Sequence, residues 1–113
     1  MCPKCGNEPE SVDHMLFHCE QAVRVWLLSA FRFRPEEMQI ARFEEVWNNL
    51  GQKGNKKEKW DVLHLFAIVC WNIWKARNAW VFRGVRMKET RICSIAAAEF
   101  HDFCNAVTVP QRD

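Results

Sequence analysis

The chain has 113 residues and a formal net charge of +2, from 16 Lys and Arg against 14 Asp and Glu. That is one domain's worth of sequence, too short for a polymerase, a nuclease or a kinase, and its 49% hydrophobic and 27% charged residues exclude an intrinsically disordered segment. Six tryptophans and eight phenylalanines, with no tyrosine, require either a buried home or a partner surface that covers them.

Residues 1–10 read as a turn-rich loop, punctuated by Pro3, Gly6, Asn7 and Pro9. Ser11 is suited to cap a helix in which Val12, Met15 and Leu16, then Ala22, Val23, Trp26 and Leu27, recur at i, i+3, i+4 spacing. The pattern predicts a break at Cys19 and an end between Phe31 and Pro35. Pro35, followed by Glu36 and Glu37, starts a second helix that carries Ile40, Phe43, Val46, Trp47 and Leu50 and stops at Gly51. A polar, basic linker covers Gly51 to Lys59.

A long helix is expected from about Glu58 to Phe82 or Arg83, ended by Gly84. It has two apolar stripes. One holds Trp60, Leu63, Ala67, Trp71, Trp74 and Val81; the other holds Phe66, Ile73 and Trp80. A helix apolar over so wide an arc is central in its domain, which places Trp71, Trp74 and Trp80 in the core. A last helix spans about Lys88 to Val107, with Ile92, Ile95, Ala96, Phe100 and Phe103 inward. No alternation is long enough for a strand. The expected fold is all-α, an N-terminal zinc knuckle capping a small bundle of about four helices. It comprises a zinc-binding knuckle and helix over 1–34 and a helical region over 35–113, in one compact unit.

The longest apolar run, Val62 to Trp74, is too short to span a bilayer, and the N-terminus has no secretory leader. The expectation is a nuclear or cytoplasmic protein with no membrane partner, in a reducing compartment where closely spaced Cys and His favour metal over disulfides.

The strongest motif is Cys2-x2-Cys5-x8-His14-x4-Cys19. Two thiols separated by two residues present both sulfurs to one Zn²⁺, with Pro3 stiffening the loop and Gly6 free to turn backbone N–H groups toward the sulfurs. Cys19 lies about 140° around an ideal helix from His14, so the backbone must bend or end there to close the site. Three thiolates and a neutral imidazole leave one net negative charge on the zinc, which Lys4 and Arg24 are placed to soften. Spacing leaves a second set open: Cys2, Cys5, His14 and His18, because His-x3-His also binds zinc. No His-Glu-x-x-His element or other open catalytic zinc site occurs.

The run from Cys2 to Trp26 resembles the reverse-transcriptase zinc-binding region of plant LINE-type (non-LTR) retrotransposon proteins, matching at Cys2, Cys5, Gly6, Glu10, His14, Phe17, Cys19, Ala22 and Trp26. The run Trp71–Phe82, WNIWKARNAWVF, resembles that family's segment between the zinc-binding region and an RNase H-like domain. The resemblance implies Cys19 as the fourth ligand. The family's upstream polymerase sequence is absent here. Beyond Phe82 only Glu89, Glu99, Asp102 and Asp113 supply carboxylates, so no nuclease site is carried over. The chain thus reads as a non-enzymatic fragment or remnant of a retroelement polyprotein.

Weak, non-specific binding of single-stranded RNA or DNA is expected through Lys53, Lys56, Lys57 and Lys59, with Lys4 and Arg24 near the zinc. The alternative is a helical protein–protein interaction module with purely structural zinc. Cys70, Cys93 and Cys104 read as buried thiols, and His64 and His101 as core-edge residues. The linker also suggests that the helices from 58 to 107 fold without metal.

Overall fold

The computed structural model describes residues 13–39, 41–52 and 56–108. Among these there is helix and no strand. A five-residue π-helical turn, His14–His18, leads into α1, Glu20–Leu28. Then follow α2, Pro35–Gln39, α3, Phe43–Leu50, the 28-residue α4, Lys56–Arg83, and α5, Glu89–Thr108. Among the described residues the all-α expectation holds, with five α-helices and the π-turn in place of about four helices.

The difference arises between α2 and α3, at Ala41 and Arg42, where the single helix expected from Pro35 to Leu50 divides in two. Two side chains from the first segment hold the break. His18 Nε2 donates to the Ala41 carbonyl at 2.8 Å, and the Phe43 N–H donates to Asp13 Oδ1 at 2.9 Å. Backbone groups that would have continued the helix are satisfied across the fold instead. Ile40 lies outside the described residues.

The core is built around Trp26 and Phe66, both fully buried, with ring centroids 5.1 Å apart. Phe17 from the π-turn lies against both, at 5.8 and 6.1 Å. Phe43 and Trp47 of α3 close over Phe66, while Phe31 and Phe33 fold back onto Trp26 from the loop after α1. That return needs Arg32 in the left-handed region, at φ +52°. Aromatic pairs of this kind contribute about 0.5–1.5 kcal/mol each beyond area burial.

α4 and α5 pack along each other through Ile73, Ala76, Ile92 and Ala96. Asn72 Nδ2, inside this seam, donates to Glu99 Oε1 at 2.8 Å and to the Ile68 carbonyl at 2.9 Å. Gly84, at φ +68°, ends α4 and turns the chain into α5. α1 packs on α5, where Gln21 Nε2 donates to the Met87 carbonyl at 3.2 Å.

The two stripes of α4 have opposite fates. Phe66 and Ile73 are buried, joined by Val69, Cys70 and Ala76. The other stripe faces outward. Trp60, Trp71 and Trp74 are 58%, 53% and 40% exposed, which corrects the expectation that Trp71 and Trp74 are core. Trp80 is half-buried, with the Arg86 guanidinium 4.9 Å from its ring centre. The physical reason is supply: α1, α3 and the 29–34 loop bring enough rings to cover one side of α4 and none to cover the other.

Candidate metal centre and nucleic-acid interface

Of the four expected zinc ligands, His14 and Cys19 fall within the described residues; Cys2 and Cys5 lie outside them, as do Lys4 and Lys53. Among the described residues alone, no group of three or more His, Cys, Asp or Glu is gathered that would hold a metal.

His14 opens the π-turn, and the Cys19 N–H donates to its carbonyl at 2.7 Å, an i to i−5 bond. Cys19 itself is extended, φ −63° and ψ 142°, and caps α1. The helix therefore breaks at Cys19, where the motif spacing demands it, and the wide turn brings the two backbones together across the offset a regular α-helix would impose. Both residues are buried, at 2% and 1% exposure. An imidazole and a thiol fixed in this way fit a zinc ion, whose thiolate–imidazole shell is normally closed to water in structural sites.

His18 is placed differently. Its Nε2 faces the Ala41 carbonyl, which can only accept, so Nε2 carries the proton there and serves the α2–α3 break. Its ring stands edge-on to that of His14, with centroids 6.2 Å apart.

The basic residues divide between distant places. Lys56, Lys57 and Lys59 lie in the first turn of α4, the first two exposed. They add positive charge to the positive end of the helix dipole, an unfavourable arrangement that an anion there would relieve. Lys57 Nζ meets Asp61 Oδ2 at 3.0 Å, and that hydrogen bond, with the carboxylate's charge, raises the lysine's pKa. Arg24 is engaged by Glu20 at 3.3 Å and Glu89 at 3.9 Å. It shares a cleft with Arg86 and Lys88 near the start of α5, roughly one α4 length, ~40 Å, from the Lys56 group.

The outward face of α4 holds a feature that the core placement of Trp71 and Trp74 had set aside. The exposed Trp71 and Trp74 rings are stacked, with centroids 5.1 Å apart and planes inclined by 21°. Lys75 Nζ stands 5.7 Å from the Trp71 ring centre and 3.7 Å from Glu99 Oε2. Beside the pair runs an apolar groove of about 390 Å³, walled by Met15 and Leu16 of the π-turn, Phe43 of α3, and Ala67 and Cys70. The legible signal was that α4 is apolar over an arc wider than one core can use.

Cys70 and Cys93 are held as protonated thiols. Burial pushes the Cys70 thiol up to about 12, and burial with the nearby Glu89 raises that of Cys93, whose Sγ lies 3.3 Å from the Val25 carbonyl. His64 lies on the surface, stacked on Phe103 at 3.7 Å, and His101 Nδ1 is 3.3 Å from Asn105 Nδ2.

Comparison with protein-family models, curated proteins and solved structures finds no match. No helix among the described residues is long and apolar enough to cross a membrane.

Proposed function

We propose that this chain is a non-enzymatic, zinc-binding helical module of the kind found in LINE-type retroelement polyproteins, with weak affinity for single-stranded nucleic acid. Cys2, Cys5, His14 and Cys19 would hold Zn²⁺, which would tie the N-terminal loop to the core. The observation that carries this reading is the buried His14–Cys19 pair, on a π-turn that breaks where the ligand spacing requires. The resemblance at Cys2 to Trp26 supports the same four ligands. His18 donates from Nε2 to Ala41 and keeps Nδ1 as an acceptor, so the choice of Cys19 over His18 rests on the resemblance.

The cations at the start of α4 support the nucleic-acid part. Contacts there would be few, so the salt dependence is shallow, about −0.7 per phosphate contact for a single strand, and affinity is of the order of 10⁻⁴–10⁻⁶ M. The test is a metal analysis of the purified protein together with a salt titration of single-stranded RNA binding. One zinc per chain, and binding whose salt slope flattens when Lys53, Lys56, Lys57 and Lys59 are changed to Gln, is the expected result. Zinc-free protein that folds normally would refute the first part, and no retention of RNA at low salt the second. A second reading, a protein-interaction module with structural zinc, draws on the exposed aromatic face of α4 and predicts zinc without RNA retention.

A further inference from the structure

The aromatic residues divide sharply. Phe17, Trp26 and Phe66 are fully buried, whereas Trp60, Trp71, Trp74 and Phe82 stand in solvent on one helix. An exposed indole forgoes the free energy that burial of a large apolar side chain would supply. Trp71 and Trp74 are also mutually stacked, so they form one aromatic surface in which each ring covers part of one face of the other.

Over Lys56–Arg83 the helix carries six Lys and Arg against two carboxylates, Glu58 and Asp61. From Val62 to Arg83, α4 has no carboxylate. The exposed cations Lys56, Lys57 and Lys75 share the helix with the exposed rings; the opposing acids are Glu58 and Asp61 in the first two turns and Glu99 from α5. A polyanion that carries planar apolar groups matches both properties. An uncharged apolar helix would match the rings alone.

We infer that Trp71 and Trp74, with Lys75 beside them, form a stacking platform for the bases of a single-stranded nucleic acid. This inference rests on the nucleic-acid reading above and locates its base-contacting site. The groove next to the indoles gives an unstacked base an apolar recess, and its wall at Met15 and Leu16 belongs to the turn that carries His14. Trp60 lies 11 residues before Trp71, ~16 Å along the helix, on the same exposed side, so a strand following α4 meets a further ring beside Lys56 and Lys57. Recognition of this kind is tolerant of sequence, because every base has a π-face.

The probes are a short oligothymidylate and an abasic strand of the same length, which keeps the phosphates and removes the bases. The wild-type chain should bind the oligothymidylate about tenfold or more tighter than the abasic strand, the preference expected from base–aromatic stacking. The double variant Trp71→Leu/Trp74→Leu should erase that preference and leave abasic binding unchanged. Trp71→Phe/Trp74→Phe should restore much of it, and circular dichroism of each variant checks the helices. Equal wild-type affinity for the two strands overturns the platform while leaving phosphate binding standing. A Leu variant that keeps the preference does the same. Failure of the wild-type chain to bind either strand at low salt overturns both this inference and the nucleic-acid reading. In that case a protein partner, indifferent to Leu in place of Trp, takes its place.

Discussion

The Trp26 indole donates from Nε1 to the Leu16 carbonyl at 2.7 Å, inside the core. The break at Cys19 interrupts the helical ladder that would otherwise use that carbonyl, and a side chain from ten residues downstream takes it. The bond ties the turn that carries His14 to the ring cluster around Phe66, so that turn and the helical bundle share one hydrophobic interior.

Replacing Trp26 separates packing from hydrogen bonding. Trp26→Ala should cost about 3–5 kcal/mol of stability through the cavity it leaves. Trp26→Phe keeps most of the ring but strands the buried Leu16 carbonyl, at about 1–3 kcal/mol. Urea unfolding of the purified variants measures both, and a Phe variant as stable as wild type would show that the carbonyl finds another donor.

Zinc affinity should fall far more in Cys19→Ser than in His18→Ala. Equal losses, or a larger one at His18, would overturn the ligand choice. Because Phe17, Val25 and Trp26 fill the core around Phe66, a chelator should loosen the whole bundle and lower one cooperative transition. This replaces the expectation that the helices from 58 to 107 persist alone, since Phe66 of α4 is buried against Phe17 and Trp26 of the first segment. The melting temperature with and without chelator, followed by circular dichroism and by tryptophan fluorescence, checks it; two separated transitions would contradict the shared core.

Asp13 acts as a remote cap for α3. Asp13→Ala should destabilise the fold by about 0.5–2 kcal/mol, the range for loss of a helix cap, with Asp13→Asn recovering most of it. Exchange of the Phe43 amide with deuterium should accelerate in the Ala variant. Unchanged protection there would show that the contact contributes nothing.

Cys70 gives the fold a pH dependence on the alkaline side. Burial raises its folded-state pKa from 9.0 to about 12, so the folded state favours the protonated thiol. Its contribution is complete below pH 9, and is lost as pH rises from 9 toward 12. Cys70→Ala should therefore show a flatter decline in stability across that window, measured by denaturant titration at several pH values. Alkylation of Cys70 in the folded protein should be slow at neutral pH.

Much of the fold is legible from residue spacing because helical periodicity is local. The limits of α4 and α5, the stop at Gly84, the break at Cys19 and the inward Ile92 and Ala96 all follow from residues within a few turns of one another. Pro35 likewise marks a helix start without help from the rest of the chain. The tertiary structure decided what depends on who arrives from elsewhere. The helix breaks before Phe43 because Asp13 and His18 reach Phe43 and Ala41 across 30 and 23 residues, contacts no local pattern encodes. Of the two apolar stripes on α4, periodicity could name both but not rank them. Phe66 went inside because Phe17, Trp26 and Phe43 converge on it, and Trp71 and Trp74 were left in solvent because a helix buries only the face its neighbours can cover.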